Sequence, residues 1–214
     1  MTERPILFSG WEVRAILAGT KTQTRRMVNP PPILGEYDDI RVCDGGFEIV
    51  RYAMATTAVG RELRETVEPL RCLFGVPGDR LFVKETFELR REFDNLSPAA
   101  VGKRHGSDVL YLADQGINPS GCHGHFEWGR TRSSIHMPRW ASRITLEVTD
   151  VRVQRVQDIS EEDAMAEGCA GDESGLTDHG VKNEFAVLWN NIHGPGAWER
   201  NDWVFVATFR RVQP

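Results

Sequence analysis

The chain has 214 residues, 40% of them hydrophobic and 27% charged, and a formal net charge of −5. This is an ordinary globular composition, and the length suits one sizeable core or one small domain that carries insertions. No apolar run approaches the ~18 residues that a membrane span needs, and residues 1–10 lack the apolar centre of a signal peptide, so we expect a cytoplasmic protein without a membrane partner. Reduced thiols are expected, because no C-x-x-C pair occurs among the four cysteines, Cys43, Cys72, Cys122 and Cys169.

The charge is unevenly placed along the chain. Residues 156–181 contain eight acids and no lysine or arginine, so the remainder of the chain carries −5 + 8 = +3. Two stretches, 13–27 and 128–146, contain no acid at all. A polyanion such as RNA could contact these stretches locally, although the negative total makes steering by the whole protein weak. The alternative is that their cations only solvate a surface and complement the end of a helix.

A strand at 5–9 and a helix at about 10–18 are the first predicted elements. Ser9 and Glu12 fit the S-x-x-E capping box that starts a helix, and apolar residues recur behind it at helical spacing. Gly19 suits the left-handed position just past a helix end. The helix is therefore expected to end where a polar, basic segment begins.

That segment, GTKTQTRR at 19–26, contains a lysine and a threonine three residues apart. In a tight turn Lys21 and Thr24 can share a side, whereas in a regular strand they lie on opposite faces. We therefore expect a tight turn at 21–26 if the two residues act together.

Further strands are predicted where β-branched and aromatic residues cluster, at 79–87, 108–113, 143–156 and 203–212. Within 143–156 the hydrophobic alternation changes phase at Thr149 and Asp150, which indicates a β-bulge or a barrel corner. The arrangement is typical of a small mixed barrel or sheet with a few helices.

Two more helices are predicted in the second half of the chain. One begins at Ser160 with a capping-box-like sequence and is closed by Gly168, and Asn183 caps another that Gly194 and Pro195 end. The second has core residues at i, i+3, i+4 and i+7, namely Phe185, Leu188, Trp189 and Ile192. Weak periodicity with many Pro, Gly and charged residues predicts insertions or mobile loops within a single domain, at about 29–76, 88–130 and 169–181.

Strand alternation gives one candidate site residue, Glu85. Leu81, Val83 and Phe87 share its face, so Glu85 would be a carboxylate on an apolar wall. Burying a carboxylate costs several kcal/mol unless it is paired or hydrogen-bonded, and such positions are enriched in functional sites. The alternatives are that Glu85 neutralises a neighbouring arginine, or that Phe82 marks the inner face.

Lys21 and Thr24 offer the other parts of a hydrolytic site. A threonine hydroxyl attacks an acyl carbon only when a base removes its proton, and a neutral lysine can do so. Arg25 and Arg26 would favour the neutral amine of Lys21, whereas Glu85 nearby would favour the ammonium. If Glu85 dominates, Lys21 becomes an oxyanion or phosphate ligand and Glu85 is the candidate base.

Two other segments carry side chains that could bind a ligand. Cys122, His123 and His125 have no fourth ligand at standard spacing, so an exposed Gly-rich loop is favoured over a zinc site. Arg139 and Trp140 could supply a charge and a stacking face for a base, although a tryptophan at the start of a strand is more often a core residue. We expect no metal and no other cofactor.

Two of these motifs together resemble those of a known family. Gly19-x-Lys21-x-x-Thr24-x-Arg26 is similar to the G-x-K-x-x-T-x-R signature of the ASCH domain. The segment 78–87 looks like that family's strand ending in a glutamate, here Glu85, and 134–168 and 185–212 resemble ASCH proteins common in phages and prophages. The resemblance covers about two thirds of the chain. It implies an α+β fold, a PUA-like small β-barrel with flanking helices.

The resemblance also implies an activity. Some small bacterial members of the family are amidohydrolases that deacylate acylated cytidine with a threonine, a lysine and a glutamate. At the matched positions, this implies Thr24 as nucleophile, Lys21 as base, and Glu85 as the residue that orients Lys21 or the hydrolytic water. It also implies that Arg26 holds the substrate or stabilises the oxyanion.

Other members of the family are thought to bind RNA or to cleave it. A ribonuclease using the same cleft, and a non-catalytic module that binds RNA or a modified nucleotide, are therefore alternatives. No obligatory protein partner is expected in any of the three cases. The candidate ligands of the binding module are Arg25, Arg26, Arg139 and Trp140.

Overall fold

The computed structural model describes residues 1–29, 39–43, 46–57, 60–102, 109–114, 127–170 and 180–212. These residues form a mixed α+β structure, mostly strands with a few helices, which confirms the predicted class at this coarse level. The chain divides into two compact units. The first unit consists of Met1–Thr22, Asp79–Glu147 and Phe209–Pro214, and the second of Gln23–Gly78 and Val148–Thr208.

Short connections join most of the elements. The strands are β1 (Glu3–Leu7), β2 (Gln23–Met27), β3 (Asp39–Cys43), β4 (Gly46–Thr57), β5 (Gly60–Leu70), β6 (Arg80–Lys84), β7 (Phe87–Leu89), β8 (Val109–Tyr111), β9 (Thr145–Arg155) and β10 (Trp203–Val212). The helices are α1 (Gly10–Ala18), α2 (Pro98–Val101), α3 (Glu161–Ala166) and α4 (Val181–His193). Short 3-10 turns occupy Arg91–Phe93, Leu112–Asp114, Ser134–His136, Arg139–Ala141 and Val156–Asp158.

The first unit is built on two parallel strands. β1 pairs with β6 in register from Glu3 opposite Arg80 to Leu7 opposite Lys84. β6 also pairs antiparallel with the first residues of β9, and β7 pairs antiparallel with β8. A hydrophobic cluster packs beside β7, formed by Phe87, Leu89, Phe93, Val101, Met137 and Ala141. The helix α1 has the bounds that the sequence predicts, and Gly19 follows it in the left-handed conformation, with φ of 81°.

The strand predicted at 79–87 is divided in the structure. β6 ends at Lys84 and β7 begins at Phe87, with Glu85 and Thr86 between them. The break occurs because Phe87 changes partner: its backbone exchanges hydrogen bonds of 3.2 and 2.8 Å with Arg132. The alternation of buried positions nevertheless continues through the break, so Glu85 faces inward as predicted.

The second unit contains a strand pair and a three-stranded antiparallel sheet. β2 pairs antiparallel with β10, from Gln23 opposite Thr208 to Met27 opposite Val204. β4 lies between β3 and β5 in the other sheet. The core of this unit joins α3 and α4 to β10 and consists of Val156, Ile159, Ala164, Cys169, Phe185, Trp189, Ala197, Val204 and Val206.

Much of the segment predicted as insertions or loops at 29–76 forms this sheet. β3, β4 and β5 pair over long stretches, and Phe47, Ile49 and Val50 are buried. The absence of a regular period misled the prediction, since both Ile49 and Val50 are buried although they are neighbours on a strand. The segments 30–38, 103–108, 115–126 and 171–179 lie outside the described residues.

The two later helices differ in how well they were predicted. α3 is confirmed, because the Ser160 hydroxyl accepts a hydrogen bond from the Asp163 backbone at 3.1 Å and Gly168 follows with φ of 98°. α4 begins two residues before the predicted cap Asn183, with Gly180 in the cap position. Ile192 was predicted in the core but is 52% exposed. The helix presents only its Phe185 and Trp189 side fully to the interior.

The predicted barrel is not seen among the described strands. Within each unit they pair as open sheets with two edges, and no closed ring of strands occurs in this part of the chain. Thr149 and Asp150 are both exposed where the alternation of β9 changes, and the bulge there stays a prediction. No helix in the described ranges is long and apolar enough to cross a membrane.

Candidate active site

The carboxyl ends of β1 and β6 meet at one edge of the first unit, because the two strands run parallel. The backbone N–H of Phe8, directly after β1, donates to the carbonyl of Lys84, the last residue of β6, at 3.2 Å. The chain enters α1 after β1 and reaches Glu85 after β6. The start of α1 and Glu85 therefore lie at the same edge of the first unit.

Lys21 is buried against α1 although it bears a charge. Its backbone N–H donates to the carbonyl of Ala15 at 3.1 Å, which draws the residue back beside the helix. Its side chain is 1% exposed, and Nζ lies 3.7 Å from a carboxylate oxygen of Glu12. Nζ also lies 5.7 Å from the ring centroids of both Phe8 and Trp11. A carboxylate and two aromatic faces thus stabilise an ammonium where water has little access.

Glu12 holds both the helix start and Lys21. Its Oε2 accepts hydrogen bonds from the backbone N–H and the hydroxyl of Ser9, both at 2.8 Å, so the predicted cap is present. Its other oxygen, Oε1, faces Lys21. The sequence indicates the cap because its partners are three residues apart, but it does not indicate the ion pair, which depends on how the chain turns at Gly19.

Glu85 is buried, with 1% of its surface exposed. Arg143 donates two hydrogen bonds to it, from Nε to Oε1 at 2.9 Å and from Nη2 to Oε2 at 3.0 Å. Burial raises the pKa of the Glu85 carboxyl; the hydrogen bonds and charge of Arg143 oppose this effect, and the charge of Asp114 adds to it. Glu85 is therefore a carboxylate with a fixed orientation and an increased affinity for a proton.

Arg143 is shared between Glu85 and a second acid. Its Nη1 and Nη2 donate to the two oxygens of Asp114 at 2.7 and 2.8 Å. The guanidinium carbon lies 4.0 Å from the ring centroid of Tyr111, whose hydroxyl donates to the carbonyl of Ala141 at 2.9 Å. Burial alone would lower the pKa of Arg143, but the hydrogen bonds to Asp114 and Glu85 raise it above its usual range.

Sequence reasoning missed all three neighbours of Glu85. It allowed for a neighbouring arginine, and Arg143 lies in the acid-free stretch 128–146 that was singled out. Nothing in the local pattern indicates Tyr111 or Asp114, because β8 and its following turn reach Glu85 only through the tertiary fold.

Thr24, the third member of the predicted trio, lies in the second unit, whereas Lys21 and Glu85 lie in the first. It is in β2 opposite Ala207 of β10 and is 1% exposed. The tight turn predicted over 21–26 is wrong from Gln23 onward, because the main chain there pairs with β10. The turn itself is confined to the residues between α1 and β2.

Arg25 was predicted as a ligand for substrate or RNA, and the structure corrects this. Its side chain is 0% exposed and binds Asp163 at 2.7 Å and Glu167 at 3.0 Å, both from the α3 region. Gln23 accepts a third hydrogen bond, at 2.7 Å. Two acids thus neutralise Arg25 inside the second unit, where it is not exposed to a phosphate. Arg26, the next residue, is partly exposed.

Arg139 and Trp140, the other predicted ligands, lie in the first unit. Arg139 is 45% exposed at its side chain and donates hydrogen bonds of 2.9 and 2.8 Å to the carboxylate of Glu3. Trp140 packs against the Phe87 cluster, and its Nε1 donates to the carbonyl of Pro98 at 3.2 Å. Both side chains have structural partners, and their binding of RNA stays a prediction.

No metal centre is found in the described part of the chain. Within it, no group of three His, Cys, Asp or Glu side chains is arranged to hold a metal ion. The segment with Cys122, His123 and His125 lies outside the described residues. Three cysteines are thiols outside any disulfide, namely Cys43, Cys72 and Cys169.

Comparisons of the chain with protein-family models, with curated proteins and with solved structures gave no match. The resemblance to the ASCH domain therefore depends on the motif residues alone. The structure adds the surroundings of those residues: Lys21 beside Glu12, and Glu85 beside Arg143.

Proposed function

We propose that the protein is an amidohydrolase that deacylates an acylated pyrimidine nucleoside, such as N4-acylated cytidine. The observation that carries the proposal is a buried lysine and a buried glutamate at the same edge of the first unit, each fixed by its own opposite charge. Glu12 fixes Lys21, and Arg143 fixes Glu85. Burying ionised groups costs free energy, and such arrangements are enriched in catalytic sites.

The two environments suit different roles. Burial raises the pKa of Glu85, which makes it a better proton acceptor near neutral pH than an exposed glutamate. Lys21, paired with the carboxylate of Glu12, supplies a positive charge and hydrogen-bond donors to the oxygen that becomes negative during attack. Of the two alternatives open from the sequence, this selects a cationic Lys21 and Glu85 as the base.

Thr24 is assigned as the nucleophile on the motif alone. In the proposed first step its hydroxyl oxygen bonds to the amide carbonyl carbon while Glu85 takes the hydroxyl proton. The carbon–nitrogen bond then breaks, the proton passes to the leaving nitrogen, and the acyl group remains as a threonine ester. Water, deprotonated by Glu85, hydrolyses the ester to release the carboxylic acid and restore the hydroxyl.

An aromatic face beside Lys21 supports a planar substrate. Trp11 is partly exposed, and its ring centroid lies 5.7 Å from Nζ of Lys21. A pyrimidine ring can stack on such a face, and the adjacent ammonium can then reach an oxygen on the acyl group.

The proposal includes ASCH-family membership and the PUA-like barrel that goes with it. It is supported by the motif positions: Gly19 is left-handed after a helix, Lys21 is buried, and Glu85 follows a strand. We also propose a cytoplasmic location, since the thiols Cys43 and Cys72 suit a reducing compartment.

Cytidine release from N4-acetylcytidine, followed by chromatography, tests the proposal. Glu85→Gln and Lys21→Met are expected to lower kcat/KM by at least about 10²-fold, because each removes a group that acts in the transition state. Glu88→Gln, on β7, is the matched control and should stay close to wild type. No release by the wild-type protein from any acylated cytidine, or equal release by Glu85→Gln, would contradict the proposal.

The nucleophile is tested separately. Thr24→Ala should abolish release and Thr22→Ala, at an exposed position two residues earlier, should not. Equal release by Thr24→Ala and wild type would remove Thr24 and assign the attack to water. Cleavage of RNA by the wild-type protein, lost in Lys21→Met, would instead support the ribonuclease alternative.

A further inference from the structure

We propose that Arg143 is a positioning residue: it holds the carboxylate of Glu85 in one orientation, and its second partner Asp114 sets how strongly it does so. The inference rests on the proposed function, in which Glu85 is the base. Neither Arg143 nor Asp114 belongs to the trio that the ASCH resemblance implies.

The geometry around Glu85 supports this role. Both carboxylate oxygens accept from Arg143, at 2.9 and 3.0 Å, so the carboxylate plane is fixed parallel to the guanidinium. Nη2 of Arg143 donates both to Glu85 and to Asp114, at 3.0 and 2.8 Å. The two acids therefore share one donor atom, and a change at either acid alters the hydrogen bond to the other.

The guanidinium cannot rotate freely between its two partners. It lies on the ring of Tyr111 at 4.0 Å, and the Tyr111 hydroxyl is anchored by the Ala141 carbonyl. The turn that carries Asp114 is tied to the Glu85 segment, because the backbone of Leu112 donates to the carbonyl of Thr86 at 3.1 Å. Arg143 is therefore clamped against the base from three sides.

The turn is also tied to α1. Arg14 donates from Nη1 to the carbonyl of Ala113 at 3.3 Å, next to Asp114. The charged or titratable groups around Glu85 are thus Arg143 before β9, Asp114 and Tyr111 from the β8 region, and Arg14 from α1.

Exposure distinguishes the two acids. The Glu85 side chain is 1% exposed and that of Asp114 is 43% exposed. Asp114 can therefore be changed at the surface without opening the buried pair. The charge of Asp114 raises the pKa of Glu85 and that of Arg143 lowers it. Removing either charge should move the titration of Glu85, and the two variants should move it in opposite directions.

The experiment titrates Glu85 by carbon-13 NMR of side-chain-labelled glutamate in the full chain, without substrate, with Glu85→Gln used to assign the signal. We expect Asp114→Asn to lower the pKa of Glu85, since a neighbouring negative charge is lost. We expect Arg143→Gln to raise it, since its positive partner is lost. Asp150→Asn and Arg139→Gln, which change exposed charges elsewhere, are the matched controls and should leave the Glu85 signal unchanged.

Kinetics then test positioning. Arg143→Lys keeps the charge but not the two-pronged contact, so kcat on N4-acetylcytidine should fall by about 10²-fold while KM changes little. If Arg143→Gln fails to fold, Asp114→Asn and Arg143→Lys suffice. A Glu85 titration that does not respond to Asp114→Asn, or full activity in Arg143→Lys, would overturn the inference. The NMR result needs no substrate, so its failure is distinguishable from failure of the proposed function.

Discussion

Glu12 is the residue on which the lysine half of the candidate site depends. It caps α1 through Ser9 and lies 3.7 Å from the ammonium of Lys21. Glu12→Gln keeps the shape of the side chain and an oxygen for the cap, but it removes the negative charge beside a buried cation. We expect the free energy of unfolding, measured in urea, to fall by about 3 kcal/mol.

The control for Glu12 is its partner. Lys21→Met keeps an extended side chain and removes the positive charge, so combining it with Glu12→Gln replaces the ion pair by two uncharged groups. The double variant should recover most of the stability that Glu12→Gln loses. Losses that simply add would show that the two charges do not interact.

Asp163 couples the second unit to pH. Burial alone would raise its pKa, but the hydrogen bond from Arg152 and the charges of Arg25 and Arg152 lower it below the usual value. Because the folded-state pKa is the lower one, the stabilisation is complete above the unfolded pKa of ~3.9 and is lost as pH falls through the folded pKa.

Asp163→Asn should therefore lower the stability at neutral pH and flatten its decline from about pH 5 downward. Urea midpoints across that range measure the effect. Asp150→Asn, whose side chain is 58% exposed, is the control and should leave the slope as in wild type. An equally steep decline in Asp163→Asn would contradict the role given to this ion pair.

At the scale of the element, α1 is the part that places Lys21. Gly19 ends the helix with φ of 81°, and a Cβ at this position would meet no atom within 4 Å. Gly19→Ala should therefore cost only the backbone strain, about 1 kcal/mol in urea unfolding, and Gly19→Asn should cost less. An unchanged stability in Gly19→Ala would mean that the chain does not leave the helix in the left-handed conformation.

Local elements could be predicted from the sequence because their determinants lie within a few residues. Ser9, Glu12 and Gly19 specify both ends of α1, and Ser160 specifies the start of α3. Elements stabilised by distant partners could not. The division of 79–87 depends on Arg132, and the sheet of β3, β4 and β5 lacks the simple alternation that would reveal it.

The candidate site shows the same limit. The inward position of Glu85 follows from alternation, a short-range property of a strand. Its orientation depends on Arg143, which is 58 residues away, and on Asp114 beyond β8. No spacing rule links these residues, because only the folded chain brings them together.

At the scale of the whole molecule, the uneven charge is used internally. The acidic stretch 156–181 supplies Asp163, which neutralises Arg25, together with its neighbour along α3, Glu167. The basic stretch 13–27 thus loses a cation that would otherwise be available to a polyanion. This favours a small, uncharged substrate over RNA and agrees with the net charge of −5.

The account depends most on Glu85 acting as a base at the edge of the first unit. The pH dependence of kcat/KM for N4-acetylcytidine tests this directly. We expect the activity to rise with pH through a pKa above that of an ordinary glutamate, because burial raises the pKa of Glu85, and we expect Glu85→Gln to abolish this step. The same step in Glu85→Gln, at the same pH, would contradict the account.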